Sequence, residues 1–137
     1  MPYIDIKIYD EPTMQKINIK SIFIAEPYTK LPKHVTEIVM HGTYKGEIHT
    51  VPDTLKILNL TYGHKAKDLP LTLHKLRLGE TYIAGNIPTS IHTLTFGHLF
   101  NNVAIPYFPN QLHTLELNDT YNQELNNLPA SLHTLIN

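Results

Sequence analysis

Four histidines, His74, His92, His113 and His133, hold equivalent places in one recurring pattern, each directly after an apolar residue and the last three directly before a threonine. If copies of that pattern stack, their imidazoles form a row about 5 Å apart, the spacing of neighbouring strands. Such a row has the chemistry to bind a metal ion or to respond to pH, because like charges on adjacent rings oppose each other. The four lie in a line rather than around a point, however, which is poor geometry for tetrahedral coordination. Duplication of a His-Thr pair accounts for the row with no function attached, so no metal site and no cofactor are expected. The remaining histidines, His34, His41, His49, His64 and His98, have no ligand spacing.

No catalytic set stands out. There is no glycine-rich phosphate loop, no His-Glu-x-x-His and no serine in a nucleophile elbow. A carbohydrate-cleaving surface wants two carboxylates within about 10 Å of each other, but Glu37 and Glu116 fall four copies apart. The chain reads as a non-enzyme. The aromatic-asparagine steps Phe100-Asn101 and Tyr121-Asn122 are regular enough to be packing and turn elements rather than a site.

The elements that must position these residues are short. Six prolines, Pro32, Pro52, Pro70, Pro88, Pro109 and Pro129, recur every 18 to 21 residues, each after a large apolar residue. Each is followed by an apolar triplet with the spacing apolar-x-x-apolar-x-apolar: Val35/Ile38/Met40, Leu55/Leu58/Leu60, Leu73/Leu76/Leu78, Ile91/Leu94/Phe96, Leu112/Leu115/Leu117 and the incomplete Leu132/Leu135. A copy without its proline, Ile19/Ile22/Ile24, precedes them, and Tyr28, Tyr44, Tyr82, Phe100 and Tyr121 share one offset. The last two members of a triplet alternate with one residue between them, so both point to the same face of a strand. A unit this short cannot close a core by itself and must bury its apolar side against its neighbours. The expected fold is all-β, a parallel β-solenoid of about 6–7 short repeats with little helix. Proline, which cannot donate to a ladder, belongs to the extended return path. Gly42, Gly79, Gly97 and Asn118 close the strands, where a turn needs a permissive backbone.

Stacking defines two outward columns. One runs Phe23, Val39, Asn59, Arg77, Thr95, Glu116, and the adjacent one Ser21, Glu37, Ile57, Lys75, Thr93, Thr114. Phe23, Val39 and Ile57 make an apolar group beside a cationic band of Lys75 and Arg77, the composition of a protein-binding face. The candidate partner-binding residues are therefore Phe23, Val39, Ile57, Asn59, Lys75, Arg77, Thr95 and Glu116. Strand preference beneath an N-terminal cap explains Phe23 and Val39 equally well.

The proline-centred motif resembles a leucine-rich repeat of the short type, and in particular the FNIP repeats of slime moulds and giant viruses. Those repeats read Leu-Pro-Ser-Ser-Leu, then Leu-x-Phe-Gly, then Phe-Asn-Gln-Pro-Ile. The resemblance rests on Ile87 to Asn102 and Phe108 to Leu125 and extends over about residues 31–137; Tyr44-Lys45 and Tyr82-Ile83 lack the asparagine. It implies a viral or slime-mould protein working in the cytoplasm, the host's if viral. Related proteins carry an N-terminal helical F-box that links them to ubiquitin ligases. Here the first residues are strand-patterned instead, Ile4, Ile6 and Ile8 alternating with Asp5 and Lys7 before a turn at Asp10-Glu11-Pro12.

Residues 1–14 are therefore expected to form a hairpin-like capping strand and residues 15–137 the repeat domain, with the last repeat incomplete. Leu128, Leu132 and Leu135 then lie at an open end that invites homo-oligomer formation. Composition narrows the remaining classes. A net charge of −1 with 11 scattered lysines and arginines gives no basic stripe, so nucleic acid is not an expected partner. No apolar run suits a membrane span and no signal region precedes the repeats, so the sequons Asn59-Leu60-Thr61 and Asn118-Asp119-Thr120 are taken as chance. With no cysteine there is no disulfide or thiolate chemistry. The function expected is protein–protein interaction with an unknown protein partner. The alternatives are a structural or degenerate paralogue that self-associates through its open end, or a carbohydrate-binding solenoid.

Overall fold

The computed structural model describes residues 4–5, 20–25, 31–40, 47–48, 51–60, 65–66, 69–79, 87–97, 100 and 108–137. Among these residues ten strands appear in chain order: β1 Ile4–Asp5, β2 Ser21–Ile24, β3 Glu37–Met40, β4 Glu47–Ile48, β5 Ile57–Asn59, β6 Lys65–Ala66, β7 Lys75–Leu78, β8 Thr93–Phe96, β9 Thr114–Glu116 and β10 Thr134–Ile136. Eight of them form one sheet in the order β1-β2-β3-β5-β7-β8-β9-β10. Every pairing in it is parallel. Among the described residues there is no helix. The chain is an all-β parallel solenoid.

The register is the one the triplets dictate. Ile22 pairs with Ile38, Ile38 with Leu58, Leu58 with Leu76, Leu76 with Leu94, Leu94 with Leu115 and Leu115 with Leu135. Stacking like on like puts this column inside from Ile22 to Leu115, joined by the other triplet members: Val35, Met40, Leu55, Leu60, Leu73, Leu78, Ile91 and Leu112 are wholly buried. Burial of each such side chain contributes about 1.5–3 kcal/mol, shared between neighbours because no rung has a core of its own. Ile19 and the tyrosines Tyr28, Tyr44 and Tyr82 lie outside the described residues.

The proline step does more than carry the return path. Five of the six repeat prolines offer their carbonyl to the amide three residues on: Leu55 to Pro52, Leu73 to Pro70, Ile91 to Pro88, Leu112 to Pro109 and Leu132 to Pro129, at 3.1–3.3 Å. Pro-x-x-apolar is thus a tight turn that delivers the first core residue. Two residues later the strand starts with a shared acceptor. The carbonyl of Lys56 takes the amides of both His74 and Lys75, at 2.8 and 3.0 Å, and the same pairing recurs at Lys20, Thr36, His74, His92 and His113.

The structure departs from expectation at Gly97 and Asn118 and adds two strand pairings. The N-terminal strand β1 pairs in parallel with β2, Ile4 opposite Ile22, and so extends the ladder as one more rung. The rest of residues 1–14 lies outside the described residues. Gly97 is required for space rather than for an unusual backbone angle, because a Cβ there would stand 2.5 Å from the Leu78 carbonyl oxygen. Asn118 likewise is not in a left-handed conformation, the only described non-glycine residue with positive φ being Asn127. Finally, β4 and β6 pair in parallel, Glu47 with Lys65 and Ile48 with Ala66, as a second small sheet that the triplets do not announce.

Candidate interaction face

Alternation within each strand sends the residues between the core positions outward, and the register aligns them. Phe23, Val39, Asn59, Arg77, Thr95 and Glu116 form one continuous column, and Glu37, Ile57, Lys75, Thr93, Thr114 and Thr134 the next. All eight candidate residues therefore share one face. Phe23, Val39, Ile57, Asn59, Arg77 and Thr95 are half-buried, whereas Lys75 and Glu116 are exposed.

The apolar group is diagonal rather than a strip. Val39 stands opposite Phe23 on one side and Asn59 on the other, while Ile57 stands opposite Glu37. Ser21, read as an outward residue, is in fact buried, and its hydroxyl donates to the Glu37 carboxylate at 3.1 Å. Next come Lys75 and Arg77 on β7, with Lys56 at the start of the preceding rung. Arg77 leans toward the following rung, its Nε 3.7 Å from where a Cβ on Gly97 would be. Beyond it the face is hydroxyl-rich, with Thr93, Thr95, Thr114 and Thr134. The arrangement offers apolar contact, then positive charge, then hydrogen-bonding groups, along a surface whose strands pair rung to rung.

The histidine row exists as spaced. His74 and His92 stack with ring centroids 5.0 Å apart and His92 and His113 at 5.1 Å, while His113 and His133, 5.4 Å apart, are tilted by 31°. The Gln111 side-chain oxygen lies 3.1 Å from His92 Nε2. Among the described residues, no group of three or more His, Asp or Glu side chains converges as metal ligands do.

Two features escaped the sequence reading. A hydroxyl two residues after the proline caps the preceding rung: Thr54 donates to the Val35 carbonyl at 2.7 Å, Thr72 to Leu55 at 2.8 Å, Ser90 to Leu73 at 2.6 Å and Ser131 to Leu112 at 2.7 Å. Their signal was the recurrence of Thr or Ser at one offset, replaced by His34 and Gln111 in two of the six copies. The asparagine that organises a turn is Asn118, whose amide donates to the carbonyls of Gly97 and Phe100 at 2.6 and 2.9 Å. Its oxygen accepts from the Thr120 amide and hydroxyl, whereas Asn122, in the aromatic-asparagine step, is exposed. The aromatic half of that step does pack: Phe100 is buried, and Phe96 meets Phe100 and Tyr121 with centroids 4.7 and 4.6 Å apart.

Fold and face together define a tandem-repeat β-solenoid with its columns of outward side chains set by the ladder. No protein-family model matches the sequence, and no curated protein does either.

Proposed function

We propose that the chain is a non-enzymatic repeat protein of the leucine-rich-repeat type, similar to the FNIP repeats of giant viruses and slime moulds, that binds another protein through its outward sheet face in the cytoplasm. The observation that carries this reading is the juxtaposition, on one rigid face, of half-buried Phe23, Val39 and Ile57 with the cationic Lys75 and Arg77. Apolar anchors next to a charged border are the usual composition of a protein interface. The partner that suits this face presents apolar side chains beside carboxylates.

The test uses the immobilised chain and two charge-altered variants. Lys75→Glu/Arg77→Glu reverses the band, and Asp53→Lys alters an exposed turn residue away from it. Both variants are expected to melt near the parent. A protein retained by the parent and by Asp53→Lys but lost on the double variant supports the face. Retention by all three refutes it.

One observation favours the second reading, self-association. In the sheet β10 has a neighbour on one side only, and its Leu135 and Ile136 are 50% and 45% exposed. Concentration-dependent sedimentation that Ile136→Lys abolishes supports that reading, and a monomer at every concentration removes it.

A further inference from the structure

The line of four imidazoles rules out one site sharing four ligands, but it does not bear on pairs. We propose that neighbouring histidines of the row act as two-imidazole chelates for borderline divalent transition-metal ions, His74 with His92 and His113 with His133. Imidazole suits Cu2+, Ni2+ and Zn2+, and of these Cu2+ binds nitrogen sites most tightly.

Three observations carry the inference. First, the spacing is held by the backbone rather than by the rings. The His74 carbonyl accepts the amides of His92 and Thr93 at 2.8 and 3.1 Å, the His92 carbonyl those of His113 and Thr114 at 2.8 and 3.0 Å, and the His113 carbonyl those of His133 and Thr134 at 2.9 and 3.0 Å. Chelation by a pair so placed forfeits little conformational freedom, which is what weakens binding by side chains on mobile segments.

Second, the rings can reach one ion. Nitrogens about 2.0–2.1 Å from a metal, at adjacent coordination positions, lie about 3 Å apart. Rings with centroids 5.0–5.4 Å apart must therefore turn about their side-chain bonds to bring two nitrogens together, and with planes only 22° to 31° from parallel no ring stands across its neighbour's path. His74, His113 and His133 are exposed and His92 half-buried, so the movement meets solvent.

Third, the flanks leave the ion accessible. On one side of the row stand Lys75, Thr93, Thr114 and Thr134, and on the other Thr72, Ser90, Gln111 and Ser131. No carboxylate is among them to close a larger ligand set, and Gln111, whose oxygen lies 3.1 Å from His92 Nε2, must release that nitrogen for His92 to ligate through it. Lys56 and Lys75 lie nearest His74, and their charge opposes a cation at the first pair. The pair His113/His133 fills first.

The test is a comparison of two double variants with equal histidine content. His92→Gln/His113→Gln leaves His74 and His133 three rungs apart and removes every adjacent pair. His74→Gln/His133→Gln leaves the adjacent pair His92/His113. Any binding by the other five histidines and the chain terminus is common to both.

Titration with Cu2+ alone, followed by calorimetry and by electron paramagnetic resonance, is expected to show two paired-nitrogen ions per parent chain above that background. The second variant should bind one and the first none, its copper affinity weaker by at least 10-fold, the order of the gain from a second chelating nitrogen. Equal uptake and equal nitrogen hyperfine patterns in the two variants overturn the proposal.

A measurement on the parent alone keeps the proposal falsifiable if either variant unfolds. The two pair midpoints are two rungs, about 10 Å, apart, so the fully loaded parent must show dipolar broadening between its two coppers. Spectra of isolated, single-imidazole copper at full loading refute the pairs.

Discussion

Cutting Leu94 to alanine should be among the most damaging single changes in the chain, and the same cut at Leu135 among the mildest, although both belong to one column. Leu94 is wholly buried between Leu76 and Leu115, whereas Leu135 is 50% exposed on the last strand. A buried Leu→Ala change costs about 2–5 kcal/mol, the loss of transfer energy plus an unfilled cavity. Collapse around Leu94 is resisted on both sides, since its strand begins at the shared His74 carbonyl and its own rung supplies the shared His92 carbonyl to the next. The expected cost is therefore in the upper half, about 3–5 kcal/mol. Leu135 loses about half the transfer energy and opens no closed cavity, which gives about 0.8–1.5 kcal/mol. Urea denaturation followed by far-ultraviolet circular dichroism reads the difference. With a slope of about 2 kcal/mol per M, Leu94→Ala lowers the midpoint by about 1.5–2.5 M and Leu135→Ala by well under 1 M. Tyrosine fluorescence should give coincident transitions. Equal midpoint shifts for the two variants, at unchanged slope, would refute the claim that burial is graded along a shared interior.

Gly97→Ala should destabilise the fold by about 1–3 kcal/mol by overpacking, because the new Cβ meets the Leu78 carbonyl oxygen, part of the backbone ladder; a thermal melt unchanged from the parent contradicts this. Ser90→Ala removes the 2.6 Å hydrogen bond to the Leu73 carbonyl and should cost about 1 kcal/mol, whereas Gln111→Ser, which restores the hydroxyl of the other copies, should raise the urea midpoint. Asn118→Ala leaves the Gly97 and Phe100 carbonyls without their donor, at an expected cost of about 1–3 kcal/mol; a loss smaller than that of Ser90→Ala would show that water replaces the amide.

Much of this fold was legible because its interior obeys one rule repeated in register. The aliphatic triplets named the strands, their faces and their partners, and with them the two outward columns and the imidazole row. What could not be read falls into two kinds. The pairing of Glu47–Ile48 with Lys65–Ala66 involves two residues from each strand, too few for alternation to show. The hydroxyl caps at Thr54, Thr72, Ser90 and Ser131 were visible as a recurrence but carried no polarity signal, since Ser and Thr are ordinary turn residues. Their role depends on a carbonyl contributed by the preceding rung, 17 to 19 residues away. Gly97 misled for a related reason: glycine after a strand suggests a turn angle, yet here the constraint is a neighbour's oxygen.

The face differs from the interior in the kind of constraint that acts on it. A core position on any rung must match the positions above and below it in volume, so one copy predicts the next. An outward position touches only its column neighbours and solvent, and Phe23, Asn59, Arg77 and Glu116 can succeed one another along one column with little effect on the ladder beneath. Repetition therefore fixes where the outward columns lie without fixing what they could meet. It follows that the outward sequence is informative where it departs from the repeat, at Phe23, Val39, Ile57, Lys75 and Arg77. It is uninformative where it conforms, at the His-Thr steps of β8 to β10. Those steps are instead the place where regular spacing itself becomes a chemical property, because two identical ligands held one rung apart can act as a pair whatever the origin of the repeat.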